Sequence, residues 1–295
     1  MKKPVFQGMA TAMVTPMTST GVDWDALGRF IDFQLENGIN ALVAVGTTGE
    51  SATLTPEERK AVIRYTVKRV DGRVPVIAGT GTNNTEHVLD FTRAACDDGA
   101  DALLVVTPYY NKATQGGLIK HFSMVADVAQ KPVIMYNVPG RTGLNLQANT
   151  VAVLADHPNI AAVKEASGDM SQVVAIAAKC AGKLHIYSGE DALTVPMMSV
   201  GGQGCISVLS NVVPKMAVEM TDKFFAGDVA GAGALQLKML PLINALFSEV
   251  NPIPAKAAVS AMGFGQEHLR MPLTPMEPET RENLYAQMRA LGVKL

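Results

Sequence analysis

Short apolar runs alternate with longer segments of mixed polarity along most of the chain. The runs are rich in Val, Ile, Leu and Ala and are apolar almost throughout, as is typical of parallel strands covered on both faces. Eight runs are predicted to be strands, at residues 8–15, 41–47, 74–79, 102–107, 132–137, 160–165, 184–188 and 204–209. This alternation predicts an α/β fold made of repeated strand–helix units.

The segments between the predicted strands have the period of amphipathic helices, and some of their ends carry recognisable signals. Thr55-Pro56-Glu57-Glu58 has the pattern of a capping box with proline at the first helical position. Gly38, Gly72 and Gly99 each fall between a helical segment and the next strand, where a left-handed residue commonly ends a helix.

Eight strands with helices between them satisfy a closed (β/α)8 barrel, but a doubly wound sheet uses similar pieces. The nucleotide-binding signatures of that second fold, GxGxxG and GxxxxGK[ST], do not occur in the sequence. We therefore predict a (β/α)8 TIM barrel over residues 1–225. Residues 226–295 have helical patterns near 229–248 and 279–292 and no flexible linker before them, which predicts a C-terminal helical extension packed on the barrel.

Composition narrows the class of protein. The chain has 295 residues, 48% of them hydrophobic, and a formal net charge of −2, which gives no electrostatic reason to expect nucleic acid or an anionic membrane as a partner. The cysteines lack CxxC spacing, which favours a reducing compartment; they are Cys96, Cys180 and Cys205. We recognise no signal peptide and no apolar run long enough to cross a bilayer, so a cytoplasmic protein is expected.

Lys164 is the first candidate for chemistry. It interrupts the apolar strand NIAAVKEASGD, and burial disfavours an ammonium ion, which leaves a neutral amine available to attack a carbonyl. A lysine that extends to solvent, or that pairs with Glu165 or Asp169, would produce the same pattern. The strand pattern alone leaves both interpretations open.

Further candidates lie at the carboxyl ends of other predicted strands, where barrel enzymes place their active sites. Tyr136 is suited to proton transfer, unless it only caps the core. Arg141 offers a planar fork for a carboxylate, unless it is a solvated loop charge. Thr47 and Thr48 lie between two glycines and could present hydroxyl and N–H groups to an anionic oxygen, although a plain turn is the default. No single residue establishes an active site. The hypothesis of one rests on the convergence of these residues on one face of the barrel.

No metal site is predicted. The five histidines show neither HxH nor HExxH spacing, and no acidic cluster suggests magnesium. We therefore expect a mechanism without metal or cofactor, in which a lysine serves as the electron sink.

Five motifs resemble the dihydrodipicolinate synthase and N-acetylneuraminate lyase superfamily. They are GTTGESATL (46–54), TPYYNK (107–112), YNVPGRTG (136–143), VKEASGD (163–169) and SGEDA…GGQGCISV (188–208). They occur in the family's order and at similar separations, and the match extends from about residue 6 into the helical extension. The resemblance implies a class I aldolase that forms a Schiff base with pyruvate.

The resemblance also implies a role for each candidate. Lys164 would form the imine, and Tyr136 would be the general acid and base, linked to a proton relay through Thr47 and Tyr110. In the family, the tyrosine at the position of Tyr110 reaches the active site of a neighbouring subunit, which implies at least a dimer and commonly a tetramer. Thr48 would help to hold the pyruvate carboxylate, and Gly189 and Ile206 would line the pocket through backbone groups.

The residue at the position of Arg141 distinguishes the branches of the superfamily. At its position the synthase branch has an arginine that holds the carboxylate of L-aspartate-4-semialdehyde, which implies condensation of pyruvate with that aldehyde to 4-hydroxy-tetrahydrodipicolinate, in the biosynthesis of diaminopimelate and lysine. The alternatives are a lyase for N-acetylneuraminate or a 2-keto-3-deoxy sugar acid and, more remotely, a barrel that binds pyruvate without turnover.

A regulatory site is implied as well. Lysine-inhibited members bind the end product at a dimer interface, and the matching residues are Ser51, Ala52, Asn83 and Tyr109. Strongly inhibited members usually have glutamate where this chain has His87 and histidine where it has Pro56. Because a carboxylate that could pair with the effector's amino group is missing at position 87, we expect weak or absent inhibition by L-lysine.

Overall fold

A closed barrel of eight parallel strands forms the centre of the computed structural model, which describes residues 2–295. In chain order the strands are β1 (Gly8–Ala12), β2 (Ala41–Ala44), β3 (Val76–Gly79), β4 (Ala102–Val106), β5 (Val133–Asn137), β6 (Ile160–Glu165), β7 (His185–Ser188) and β8 (Gly204–Ser207). Each strand pairs with its neighbours in sequence, and β8 returns to β1, where Gly8 is opposite Gly204. The predicted (β/α)8 barrel and all eight predicted strands are confirmed.

Eight helices follow the eight strands. They are α1 (Trp24–Glu36), α2 (Pro56–Val70), α3 (Thr85–Asp97), α4 (Gln115–Val128), α5 (Ala148–Leu154), α6 (Met170–Cys180), α7 (Thr194–Met198) and α8 (Pro214–Phe225). The capping box forms as predicted, because Thr55 Oγ1 accepts from Glu58 N at 3.2 Å and Glu58 Oε2 accepts from Thr55 N at 2.9 Å. Gly38, Gly72 and Gly99 adopt φ angles of 78°, 70° and 87°, as their places after helices require.

Some short elements of secondary structure were not predicted from the sequence. A small antiparallel hairpin pairs Met17–Thr18 with Gly21–Val22, and a one-turn helix, Pro139–Thr142, precedes α5. Two-residue strands and a single helical turn are too short to show a hydrophobic period.

Two apolar clusters build the core. The larger lies between the strands and the surrounding helices, and the smaller fills the barrel interior with small side chains, including Ala10, Ala41 and Ala162. Phe6, which precedes β1, stacks on Tyr187 with ring centroids 4.3 Å apart, and the Tyr187 hydroxyl donates to the Phe6 carbonyl oxygen at 2.7 Å. Burial raises the pKa of Tyr187 well above its usual range. The interior is therefore packed with side chains, as in other barrels of this size.

The chain ends in three further helices, α9 (Val229–Leu246), α10 (Ile253–Ala261) and α11 (Pro278–Ala290). Helix α9 packs against α8 and α11, and α10 packs against α11 and the 3-10 turn Leu209–Asn211 that follows β8. Helix α10 was not predicted, because all residues from Ile253 to Val259 are buried and no polar face marks a period.

Helix α9 corrects one expectation from the sequence. Its 18 residues are long and apolar enough to cross a membrane by length and composition, so the statement that no apolar run reaches that length is wrong. The buried face of the helix includes Gln236, whose amide donates to the Asp191 carbonyl oxygen at 2.9 Å and accepts from Val195 N at 3.2 Å. These contacts place α9 as a helix of the extension that is packed on the barrel.

Candidate active site

Lys164 lies in β6 and faces the barrel interior. Its side chain is buried, and Nζ lies 4.3 Å from the centroid of the Tyr136 ring, which β5 presents at the paired position in register. Within residues 2–295, no carboxylate oxygen lies within 4 Å of Lys164 Nζ. The alternative in which this lysine extends to solvent or forms an ion pair is therefore wrong.

The two carboxylates that could have paired with Lys164 have other partners. Glu165 points to the opposite face of β6, as alternation along a strand requires, and accepts from Asn137 Nδ2 at 3.0 Å and Gln172 Nε2 at 2.9 Å. Asp169 caps α6 by accepting from Ser171 N at 2.8 Å. The alternation of side chains along β6 thus separates the Lys164 amine from the Glu165 carboxylate, although the two residues are adjacent in the sequence.

Gly189 follows β7 and gives Lys164 its space. A Cβ atom at Gly189 would lie 2.9 Å from Lys164 Cε and 2.6 Å from Ala166 Cβ, both closer than such contacts allow. The Gly189 N–H donates to the Glu165 carbonyl oxygen at 2.8 Å, which fixes the loop beside β6. A side chain at this position would displace either the loop or the amine.

Thr47 and Thr48 form part of a tight turn after β2, here called the threonine turn (residues 45–51). Val45 and Glu50 have φ angles of 59° and 57°, a left-handed conformation that costs roughly 1–3 kcal/mol for a residue with a side chain. The Thr48 side chain is buried, and its Oγ1 accepts from Asn251 Nδ2 at 3.0 Å. The turn is strained, so surrounding contacts must hold its shape.

Arg141 lies in the one-turn helix after β5 and is largely exposed. Its Nη2 donates to the Asn251 carbonyl oxygen at 3.1 Å, so the C-terminal helical extension (residues 226–295), here called the appendage, contacts the barrel loops at this point. One cavity at the carboxyl ends of the strands is lined by six of the sequence-predicted residues, Thr47, Thr48, Tyr136, Arg141, Lys164 and Gly189. The buried amine of Lys164, the phenol of Tyr136 and the guanidinium of Arg141 therefore line the same cavity.

Glu190 and Asn251 also line this cavity, although neither was predicted to have a role in the site. Burial and the neighbouring Asp191 raise the pKa of Glu190, while Lys164 and Arg141 oppose the rise. Asn251 Oδ1 is buried without a hydrogen-bond partner in the part of the chain that the structure describes. Asn251 lies far along the chain from the predicted site residues, of which Gly189 is the nearest, so no local motif in the sequence connected it with them.

Two predicted site residues lie elsewhere in this chain. Ile206 is fully buried in the barrel interior, and its side chain is absent from the residues that line the cavity. Tyr110 is 85% exposed, has a φ angle of 72° and does not line the cavity of its own chain. Within one chain, Tyr110 is thus not assembled with the other candidates.

A second cavity of about 290 Å3 adjoins the first and shares Thr47, Arg141 and Asn251 with it. Of the four residues implied to bind an effector, Ser51, Ala52 and Tyr109 line this cavity, whereas Asn83 does not. Arg59 also lines it, and burial lowers the pKa of its guanidinium to about 10.

Comparisons with known proteins agree on one family. The model of the dihydrodipicolinate synthetase family matches residues 5–291. A 4-hydroxy-tetrahydrodipicolinate synthase from Alkaliphilus oremlandii is 50% identical over 289 residues, which cover 98% of this chain and 100% of that protein.

Solved structures give the same result. A dihydrodipicolinate synthase from Acinetobacter baumannii, complexed with pyruvate, has a TM-score of 0.95 and 43% identity, covering 97% of this chain and 99% of that one. The synthase from Cyanidioschyzon merolae with lysine bound has a TM-score of 0.94 and 39% identity, covering 98% and 99% of the two chains.

The space beside Lys164 can be tested with Gly189→Ala. The added methyl would displace the amine or the loop, so we expect borohydride trapping of a small 2-oxo acid on Lys164 to slow by roughly tenfold to a hundredfold, the effect of misplacing a reacting group by about 1 Å. Gly233→Ala in α9 is the control, because a Cβ there meets no atom within 4 Å. Trapping at the wild-type rate in Gly189→Ala would contradict the steric role, and mass spectrometry of the reduced adduct measures the rate.

Proposed function

The chain belongs to the dihydrodipicolinate synthetase family, and from this premise we propose that it condenses pyruvate with L-aspartate-4-semialdehyde to 4-hydroxy-tetrahydrodipicolinate. The observation that carries the proposal is a buried lysine amine with no carboxylate partner among residues 2–295, in a cavity that also contains Arg141. The resemblance noted in the sequence is confirmed by the family model, and curated relatives at 46–50% identity are named for this synthase rather than for sugar-acid cleavage.

The chemistry begins at Lys164. Its amine adds to C2 of pyruvate, water leaves, and the resulting imine loses a proton from C3 to give an enamine. The enamine carbon then attacks the aldehyde carbon of the second substrate, and the new alkoxide takes up a proton. Finally, the amino group of the product attacks the imine carbon, which closes the ring and releases the Lys164 amine.

Tyr136 is the proton carrier in this proposal. Its ring lies over Lys164 Nζ, and the phenol lines the cavity in which the imine forms. Thr47 lines the same cavity and lies in the strained turn, where its hydroxyl can pass a proton between Tyr136 and a further group. Positioned acids and bases of this kind accelerate proton transfer by about 10²–10⁴-fold.

The two substrate carboxylates require separate binding groups. Thr48 binds the carboxylate of pyruvate beside Lys164, whereas Gly189 and, from the family resemblance, Ile206 contribute backbone groups to the pocket. Arg141, farther out on the same cavity, binds the carboxylate of the semialdehyde through its planar fork. Exposure of the guanidinium supports this assignment, because the second substrate must reach it after the imine has formed.

The working unit is an oligomer in this proposal. Tyr110 is exposed on its own chain, so its side chain is free to enter the site of a second copy and extend the relay from Thr47. A dimer is the minimum, and a tetramer is proposed from the family resemblance. We also propose a cytoplasmic location, a mechanism without metal or cofactor, and a division into a barrel (1–225) and a helical appendage (226–295).

Lys164→Ala tests the imine mechanism. We expect loss of turnover with pyruvate and the semialdehyde, and loss of the borohydride-trapped pyruvate adduct, because no other amine occupies the cavity among its described lining residues. Lys183→Ala is the control, since this lysine pairs with Asp156 at the surface. Normal turnover by Lys164→Ala would overturn the mechanism, and N-acetylneuraminate cleavage by the wild type would move the chain to the lyase branch.

Arg141→Ala tests the choice of aldehyde. Removing a charge-assisted hydrogen bond costs about 1.5–3 kcal/mol, so we expect the KM for the semialdehyde to rise roughly tenfold to a hundredfold. Trapping of pyruvate on Lys164 should proceed as in the wild type. If steady-state kinetics and trapping show equal damage to both steps, Arg141 has a structural role through its contact with Asn251.

Inhibition by L-lysine is proposed to be weak or absent. The only carboxylate among the described residues that line the 290 Å3 cavity belongs to Glu50, which is paired with Lys256, so no free acid there matches the effector's amino group. Steady-state kinetics should show no loss of rate at submillimolar L-lysine, and His87→Glu should increase sensitivity. Submillimolar inhibition of the wild type would contradict this expectation.

A further inference from the structure

A fully buried ion pair joins the helical appendage to the threonine turn. Lys256 of α10 lies 2.7 Å from Glu50, and both side chains are at most 2% exposed. Lys256 Nζ also donates to the carbonyl oxygens of Thr15 at 2.6 Å and His268 at 3.1 Å. The ammonium therefore has three partners on three separate segments, which is the arrangement that a buried charge requires.

Lys256 restrains the turn by two routes. The direct route is its ion pair with Glu50, whose N–H donates to the Thr47 carbonyl oxygen at 3.1 Å. The second runs through Thr15, because Lys256 binds the Thr15 carbonyl while the Thr15 hydroxyl donates to the Gly49 carbonyl oxygen at 2.9 Å. The two residues after Thr48 are thus both fixed by one ammonium.

Arg270 strengthens the same attachment. Its backbone N–H donates to Glu50 Oε2 at 3.2 Å, and its guanidinium donates to the Thr53 carbonyl oxygen at 2.9 Å and to Glu58 at 2.5 Å. Glu50 has a left-handed backbone conformation, which a residue with a side chain adopts when its surroundings impose it. The contacts from the appendage supply that restraint.

We propose that Lys256 is a positioning residue for the reaction: its ion pair with Glu50 and its bond to Thr15 hold the threonine turn so that Thr47 and Thr48 face Lys164. The inference rests on the proposed function, because that function gives the Thr47 hydroxyl a role in proton transfer and the Thr48 hydroxyl a role in binding pyruvate. Lys256 touches neither substrate, and its effect on the rate passes through the turn. It does not line the cavity that contains Lys164.

Three variants separate positioning from stability. Lys256→Met leaves Glu50 buried and unpaired, so both the thermal midpoint and kcat should fall, the latter by roughly tenfold to a hundredfold. Glu50→Gln combined with Lys256→Met removes both charges, so the thermal midpoint should return towards the wild-type value while kcat stays low. Arg281→Met is the matched control, since its ion pair with Glu267 at 2.9 Å also lies in the appendage but makes no contact with the turn.

Hydrogen exchange gives a readout that needs no substrate. The N–H groups of Gly49, Glu50 and Ser51 all donate within the turn, and they should exchange faster in the double variant than in Arg281→Met. If kcat of the double variant recovers with its thermal midpoint, or if exchange in the turn matches that of Arg281→Met, the positioning role is overturned. Absence of turnover in the wild type would instead refute the proposed function, and the exchange comparison would still decide the role of Lys256.

Discussion

The burial of one amine inside a closed barrel is the constraint on which the rest of the site depends. Lys164 has no carboxylate partner in the described chain, and its Nζ lies 4.3 Å from the centroid of the Tyr136 ring. The apolar and aromatic side chains of the barrel interior surround the amine without pairing it, which the proposed attack on a carbonyl requires. The alternation of β6 turns Glu165 away from the amine, and the missing side chain at Gly189 leaves the amine its space.

The rigid barrel and the strained turn contribute differently to the proposed chemistry. Lys164 and Tyr136 lie on paired strands, so their separation is set by backbone hydrogen bonding and needs little further support. The hydroxyls of Thr47 and Thr48 lie on a turn that is held in an unfavourable conformation by residues of the appendage. The proposed nucleophile is thus positioned by the sheet, and the polar groups around it are positioned by tertiary contacts.

Sequence reasoning predicted the barrel because each of its strands is apolar along its length and each long helix has one apolar face. It failed at α10, where burial on all sides removes the helical period. It placed Lys164, Tyr136 and Arg141 correctly at strand ends, since the fold itself determines which ends meet. It could not find Asn251 or Lys256, because their partners, Thr48 and Glu50, lie about two hundred residues earlier in the chain.

That long separation has a consequence for the order of events during synthesis. Chains fold from the N-terminus as they emerge from the ribosome, and the eight strands are complete once residue 207 is available. The threonine turn, however, lacks its buried ammonium until residue 256 has emerged and α10 has docked. A barrel that closed before that point would have Lys164 enclosed but would lack this ion pair, so the turn gains its final support as a late step of biogenesis.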